Sequence, residues 1–459
     1  MTDHVVQHIR AYVDAHSERF LAELRALVSQ PSISATGEGV ADCAALVKYL
    51  MEAAGIRTQA YTTDGYAPEN PLLVGEYGPA GADPTLCLYA HYDMVPPANP
   101  ARWSVPLYAP VIKAGRMYGA GIADDKAQLF TIIKAIETLE QTGVSATHLK
   151  VVFDGEEEQY SPHFAGFVAQ HRDLFQADLL LGVDGEAHET GPVLALGLKG
   201  TLFVRLEVQT SAKDMLTGYS PVVPNAIWRL HQVLSSLVAP DGRILIEGFY
   251  DQVAPLSAEE EAWLHQISFD RAGTLRHLQT RRLLVDAAAE YYRRLTTWPI
   301  CAITGIAGGY HGTGVKNVLP GTASATLDFQ IVANQTCADI EAKLRQHLVA
   351  HSFDDVAVTI LQKRGPHKID SQHRYVEPVR AGATRAYGKA PVMLPYYRGA
   401  GGIGAEFQAI GVPGIWLPTL YPMENNMGGV DENVRVQDVL DGIVAMAVIC
   451  SHLAVVFDR

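Results

Sequence analysis

Three apolar runs of strand length in this chain each end on a histidine or on carboxylates. TLCLYAH ends on His91, HLKVVFDGEEE leads into Glu156, Glu157 and Glu158, and DLLLGVD delivers Asp184. Segments of helical period separate them. One spans about Val40 to Ala54 and stops at Gly55, a residue suited to the left-handed position beyond a helix end; another spans about Asp125 to Thr142. Strands alternating with helices predict a layered α/β sheet, and open α/β sheets place their sites at strand C-termini.

At 459 residues the chain exceeds one ordinary core, so two compact domains are expected. The texture changes near residue 199. A strand at TLFVRLEVQT, a Pro/Gly-rich loop, helices through about 295, two further strands, a helix and a strand at VAVTILQ make up an α+β insert. After Pro366 the α/β texture returns. The expected division is a catalytic domain of residues 1–198 and 368–459, interrupted by an inserted α+β domain of residues 199–367. No internal repeat is visible.

A formal charge of −14 excludes the basic stripe that a nucleic-acid partner needs. The five cysteines, Cys43, Cys87, Cys301, Cys337 and Cys450, form no CxxC pair and are expected as reduced thiols in a cytoplasmic protein. The N-terminus lacks the basic and apolar regions of a signal peptide. The longest apolar stretch, Ile443 to Val456, is broken by His452 and reads as too short for a bilayer, so a soluble protein with no membrane partner is expected.

The chemistry gathers at the strand ends. Imidazole is a good ligand for zinc or manganese, and a carboxylate two residues on, at Asp93, can accept the other ring N–H and fix the tautomer. Asp124 and Asp125 open a helix after the turn YGAGIADDK, and Asp125 is assigned to helix capping. Three successive glutamates repel one another unless a cation or a shared proton relieves them. Asp184 completes a set of acids around His91.

These residues resemble the M20 family of metallopeptidases and amidohydrolases, which includes carnosine dipeptidases, glutamate-type carboxypeptidases and succinyl-diaminopimelate desuccinylase. The likeness covers nearly the whole chain, most specifically AHYDMVPP, the stretch Trp103 to Lys126, DGEEE and Asp184, with His91 and Asp124 33 positions apart as in the family. The resemblance implies a zinc-peptidase-like α/β domain with an inserted lid that also makes a homodimer contact. It further implies one metal on His91 and Asp184, bridged by Asp124 to a second that Glu158 would hold. Glu157 would be the general base and Asp93 the orienting partner of His91.

Three positions depart from that pattern. Gly428 stands where the family has its last histidine ligand, which leaves Asp124 and Glu158 as a poor pair for a second transition metal. Leu216 stands where the family's lid carries a carbonyl-binding histidine, so that role is absent or falls to His311 or Asn225. Gln330 takes the place of a carboxylate-gripping arginine, whereas Arg398 stays near another anion-binding arginine. The expected activity is metal-dependent hydrolysis of a C–N bond in a small molecule, dipeptidase-like, with one or two Zn2+ or Mn2+ ions per chain. The alternatives are a specialised hydrolase, such as an aromatic amine aminohydrolase, and a degenerate homologue that binds a ligand without turnover.

Overall fold

The three site-bearing strands lie side by side. In the computed structural model, which describes residues 3–62, 66, 68–420 and 424–457, an eight-stranded sheet forms. Its order is Arg57–Tyr61, Leu72–Tyr77, His148–Asp154, Thr85–His91, Leu179–Gly182, Gly414–Trp416, Val193–Ala195, Val392–Leu394. Thr85–His91 is parallel to both His148–Asp154 and Leu179–Gly182, and His91 sits opposite Asp154. His91, the glutamate turn and Asp184 therefore share one edge of the sheet.

Successive residues of these strands feed opposite cores, as the pleat requires. Leu86, Leu88 and Ala90 join Ile133, Val379 and Ile449 from the helices Ala127–Thr142, Val376–Tyr387 and Val436–Phe457. Cys87 and Tyr89 face the other way, toward Phe164, Phe167, Phe407 and Trp416. The closing helix is longer than the apolar run suggested. Its 22 residues are long and apolar enough to cross a membrane, but most of its most apolar window is buried inside the fold.

A second, four-stranded antiparallel sheet has the order Ile300–Gly308, Thr322–Ile331, Gly200–Gln209, Val356–Arg364. The helices Ala226–Leu237 and Cys337–Ala350 cover one of its faces, packing Leu230, Val233, Ile340 and Leu344 on Leu202, Leu206 and Phe329. Two other helices from the same stretch of chain, Ala258–Gln266 and Ala288–Thr297, instead place Leu264 and Tyr292 in the core of the large sheet. The two parts are tied by Arg364. Its guanidinium donates to the carbonyls of Tyr160 (2.7 Å) and Gly402 (2.7 Å).

Candidate functional site

His91 ends the central strand with its ring buried. Its Nδ1 lies 3.2 Å from Asp93 Oδ1, and its Nε2 lies 3.3 Å from Asp124 Oδ1. The Asp93 carboxylate, also fully buried, accepts the backbone N–H groups of Glu157 (3.1 Å) and Glu158 (3.0 Å). One carboxylate thus fixes both the imidazole and the turn that presents the glutamates.

Asp124 and Asp125 lie in a single wide turn, Ile122–Lys126, joined by a cis peptide bond. Glu432 holds that turn from beneath. Its carboxylate accepts the N–H groups of Gly121 (2.9 Å), Ala123 (2.7 Å) and Asp124 (3.1 Å). The short strand Asn433–Arg435, paired to Arg116–Tyr118, brings Glu432 there. The capping role expected for Asp125 is not what the structure shows. The regular helix starts at Ala127, and the Asp125 carboxylate accepts from the backbone N–H of His91 (3.3 Å) and from Gln128 Nε2 (2.6 Å). Ligand atoms of His91, Asp125 and Asp184 all lie within 4.8 Å of one another. Asp125 therefore sits inside the acid cluster, because the turn carries it across the end of the His91 strand.

Burial dominates the electrostatics. It raises the Asp184 carboxyl to about 6, against the pull of His91 and with the push of Asp124. Burial, opposed by His91 and aided by Asp184 and Asp93, raises Glu157 to about 7. Burial and the Asp124 charge raise Glu158 to about 9. The same two causes raise Glu432 to about 8, although its three backbone hydrogen bonds oppose the rise. For His91 burial opposes the charged ring, but the hydrogen bonds to Asp124 and Asp93 prevail and raise it well above the usual range. Carboxylates crowded in low dielectric around one imidazole gain most from a bound cation.

The donors fit one transition-metal ion. His91 with the carboxylates of Asp125 and Asp184, and Asp124 Oδ1 lying 3.3 Å from His91 Nε2, supply the nitrogen and oxygen set such an ion takes. A second ion on the far side of Asp124 fits poorly. Glu158 Oε1 is buried without a hydrogen-bond partner, and the imidazole that bears on its carboxyl is His91, already engaged with Asp93 and Asp124. Asp124 also borders a small recess with Met94, Trp103, Gly428 and Glu432, and its described lining holds no imidazole. A Cβ on Gly428 would meet only Val95 Cγ2, at 3.9 Å, but the residue's φ of +65° lies in the left-handed region that favours glycine.

The remaining sequence-predicted positions lie farther out. Arg398 pairs with Glu186, two residues beyond Asp184. Gln330 donates to Asp328 Oδ2 (3.1 Å) on the second sheet. The Asn225 side chain caps the helix Ala226–Leu237, accepting from Ile227 N (2.8 Å) and Trp228 N (3.2 Å). Leu216 and His311 are both exposed on loops of the second sheet. Within one chain the structure gathers His91, Asp93, Asp124, Asp184, Glu157 and Glu158, but not Asn225, Leu216 or His311. Tyr397 escaped the sequence reading. Its hydroxyl accepts the Glu186 N–H (2.6 Å), and its ring closes on Gly185 so tightly that a Cβ there would lie 2.5 Å from the hydroxyl. Its place beside Arg398 was the one available signal.

Comparisons with known proteins identify the family of the chain and its fold. The profile of peptidase family M20/M25/M40 matches residues 87–452. A Beta-Ala-His dipeptidase of Rattus norvegicus is 27% identical over 304 residues, covering 64% of this chain and 62% of the rat protein. A Cys-Gly metallodipeptidase of Schizosaccharomyces pombe is 26% identical over 351 residues, covering 73% of this chain and 74% of the yeast protein. Among solved structures, an M20 family metallo-carboxypeptidase of Sulfolobus solfataricus superposes with a TM-score of 0.88 at 26% identity, over 95% of this chain and 99% of that one.

Proposed function

The chain belongs to peptidase family M20/M25/M40, and from that premise we propose that it is a metal-dependent hydrolase of a C–N bond in a small peptide-like substrate, acting in the manner of a dipeptidase. The observation that carries this reading is Asp93, which binds His91 on one side and the Glu157–Glu158 turn on the other. We assign His91, Asp124 and Asp184 to one divalent ion, zinc or manganese, and take one ion per chain as the working stoichiometry. Gly428 and the full engagement of Glu432 with backbone N–H groups support the count.

A divalent cation bound there supplies a Lewis acid for the scissile carbonyl and makes water more acidic. The protein's residues do the rest. Asp93 holds the His91 ring with Nε2 facing the cluster. Glu157, raised to about 7, is poised to take a proton from the attacking water and return it to the leaving nitrogen. Asp125, bonded to the His91 backbone and to Gln128, keeps the turn against the strand end.

The stretch 199–367 is proposed as the lid, and its free edge strand Ile300–Gly308 as a homodimer contact. Ile303 and Ile306 are exposed on that edge, a combination that invites pairing. Five free cysteines, four of them buried, support a cytoplasmic location. The test is Glu157→Gln in protein loaded with zinc or manganese. Hydrolysis of dipeptides should fall by a factor of about 10²–10⁴ while one metal per chain is retained. A variant as active as the parent, or a parent that binds no metal, would end the proposal.

A further inference from the structure

A second cavity opens where the metal-centre loop runs on from Asp184. Its volume is about 230 Å³, and it lies between Ala187–Glu189, the helices Arg271–His277 and Ala288–Thr297, and Arg398. Three polar groups of its wall, on His188, Tyr292 and Arg398, already have protein partners. Tyr292 Oη lies 2.7 Å from His188 Nε2 and 3.2 Å from the Ser268 carbonyl. His188 Nδ1 lies 2.7 Å from Thr190 Oγ1, and Arg398 is paired with Glu186. Besides Glu189 and His277, what the wall offers a ligand is carbon surface: Leu278, Leu295 and the ring of Tyr291, which is stacked on Phe269 at 4.6 Å between centroids.

We infer that this cavity is a specificity pocket of the same centre and takes an aromatic side chain of the substrate. The inference rests on the hydrolase reading above. Continuity argues for it, since Ala187 in the cavity wall is three residues from Asp184 and Tyr397 bridges the loop between them. Size argues for a side chain, because sites for whole drug-sized ligands begin at about 300 Å³. Chemistry argues for an aromatic one. Stacked and edge-on ring contacts add to simple burial, and Glu189 at the wall, with Arg398 already neutralised by Glu186, disfavours an acidic group.

The experiment compares Phe-Ala, Ala-Phe and Ala-Ala as substrates of the full-length, metal-loaded protein. One phenylalanine peptide should exceed Ala-Ala in kcat/KM by about tenfold or more. Thr274→Trp, which fills the cavity, and Leu278→Asp, a change at the exposed mouth, should each bring that ratio close to unity. Calorimetric binding of N-acetyl-phenylalanine and N-acetyl-alanine to the same three proteins tests the pocket without turnover. A phenyl advantage that both variants abolish upholds the pocket even where no peptide is cleaved, and in that case only the hydrolase reading fails. The pocket is refuted by a parent with no preference for the phenyl group in either assay, or by a preference that survives in both variants.

Discussion

Replacing Asp93 by asparagine tests the residue on which the centre turns. Its Oδ1 serves both Glu157 N–H and His91 Nδ1, and its Oδ2 serves Glu158 N–H. An asparagine that keeps its oxygen toward His91 must aim its NH2 at the Glu158 N–H, leaving a buried donor unmatched at a cost of about 1–3 kcal/mol. The flipped amide loses two contacts instead of one. With the ring less firmly oriented, metal affinity should fall by about 10–100-fold, or about 1.4–2.8 kcal/mol. Chelator-competition titration with zinc would measure the affinity, and urea unfolding of the metal-free protein the stability. An affinity within twofold of the parent together with an unchanged urea midpoint would refute the reasoning.

Three further outcomes follow from the fold. The proposed homodimer contact predicts a dimeric parent in analytical ultracentrifugation and a monomeric Ile306→Lys variant, changed on the exposed edge of the second sheet; a monomeric parent or a dimeric variant would refute that contact. Gly182→Ala should destabilise by about 1–3 kcal/mol, because the new Cβ would lie 2.4 Å from the Trp416 ring two residues before Asp184. Burial holds His367 down at about 3, so between its ordinary value and that one the unfolded chain binds the extra proton and stability is lost as pH falls. By pH 5 the loss from this group should reach about 2 kcal/mol. His367→Gln should flatten the pH dependence of urea unfolding by that amount between pH 7.5 and 5, and parallel curves would contradict it.

The chain's own pattern determined the large sheet and most of the centre. Apolar runs such as TLCLYAH and HLKVVFD have no other place than a strand covered on both faces. Once they are placed in parallel, His91, Glu157, Glu158 and Asp184 must meet at one edge. The departure at Gly428 was equally legible, because a missing side chain needs no coordinates. Other features needed the tertiary structure. The strands Val193–Ala195 and Val392–Leu394 are three residues each, too short to show a period, and exist because they pair with each other across the chain. Asp125 read as a cap because adjacent acids before a helix usually are; only the wide turn of Ile122–Lys126, held by Glu432 from 308 positions away, carries it into the cluster. The aromatic cavity was likewise hidden, since its wall joins Ala187, Tyr291 and Arg398 from three distant segments. Local sequence sets the period and the chemistry of each segment, but which segments touch is decided by burying their apolar faces together.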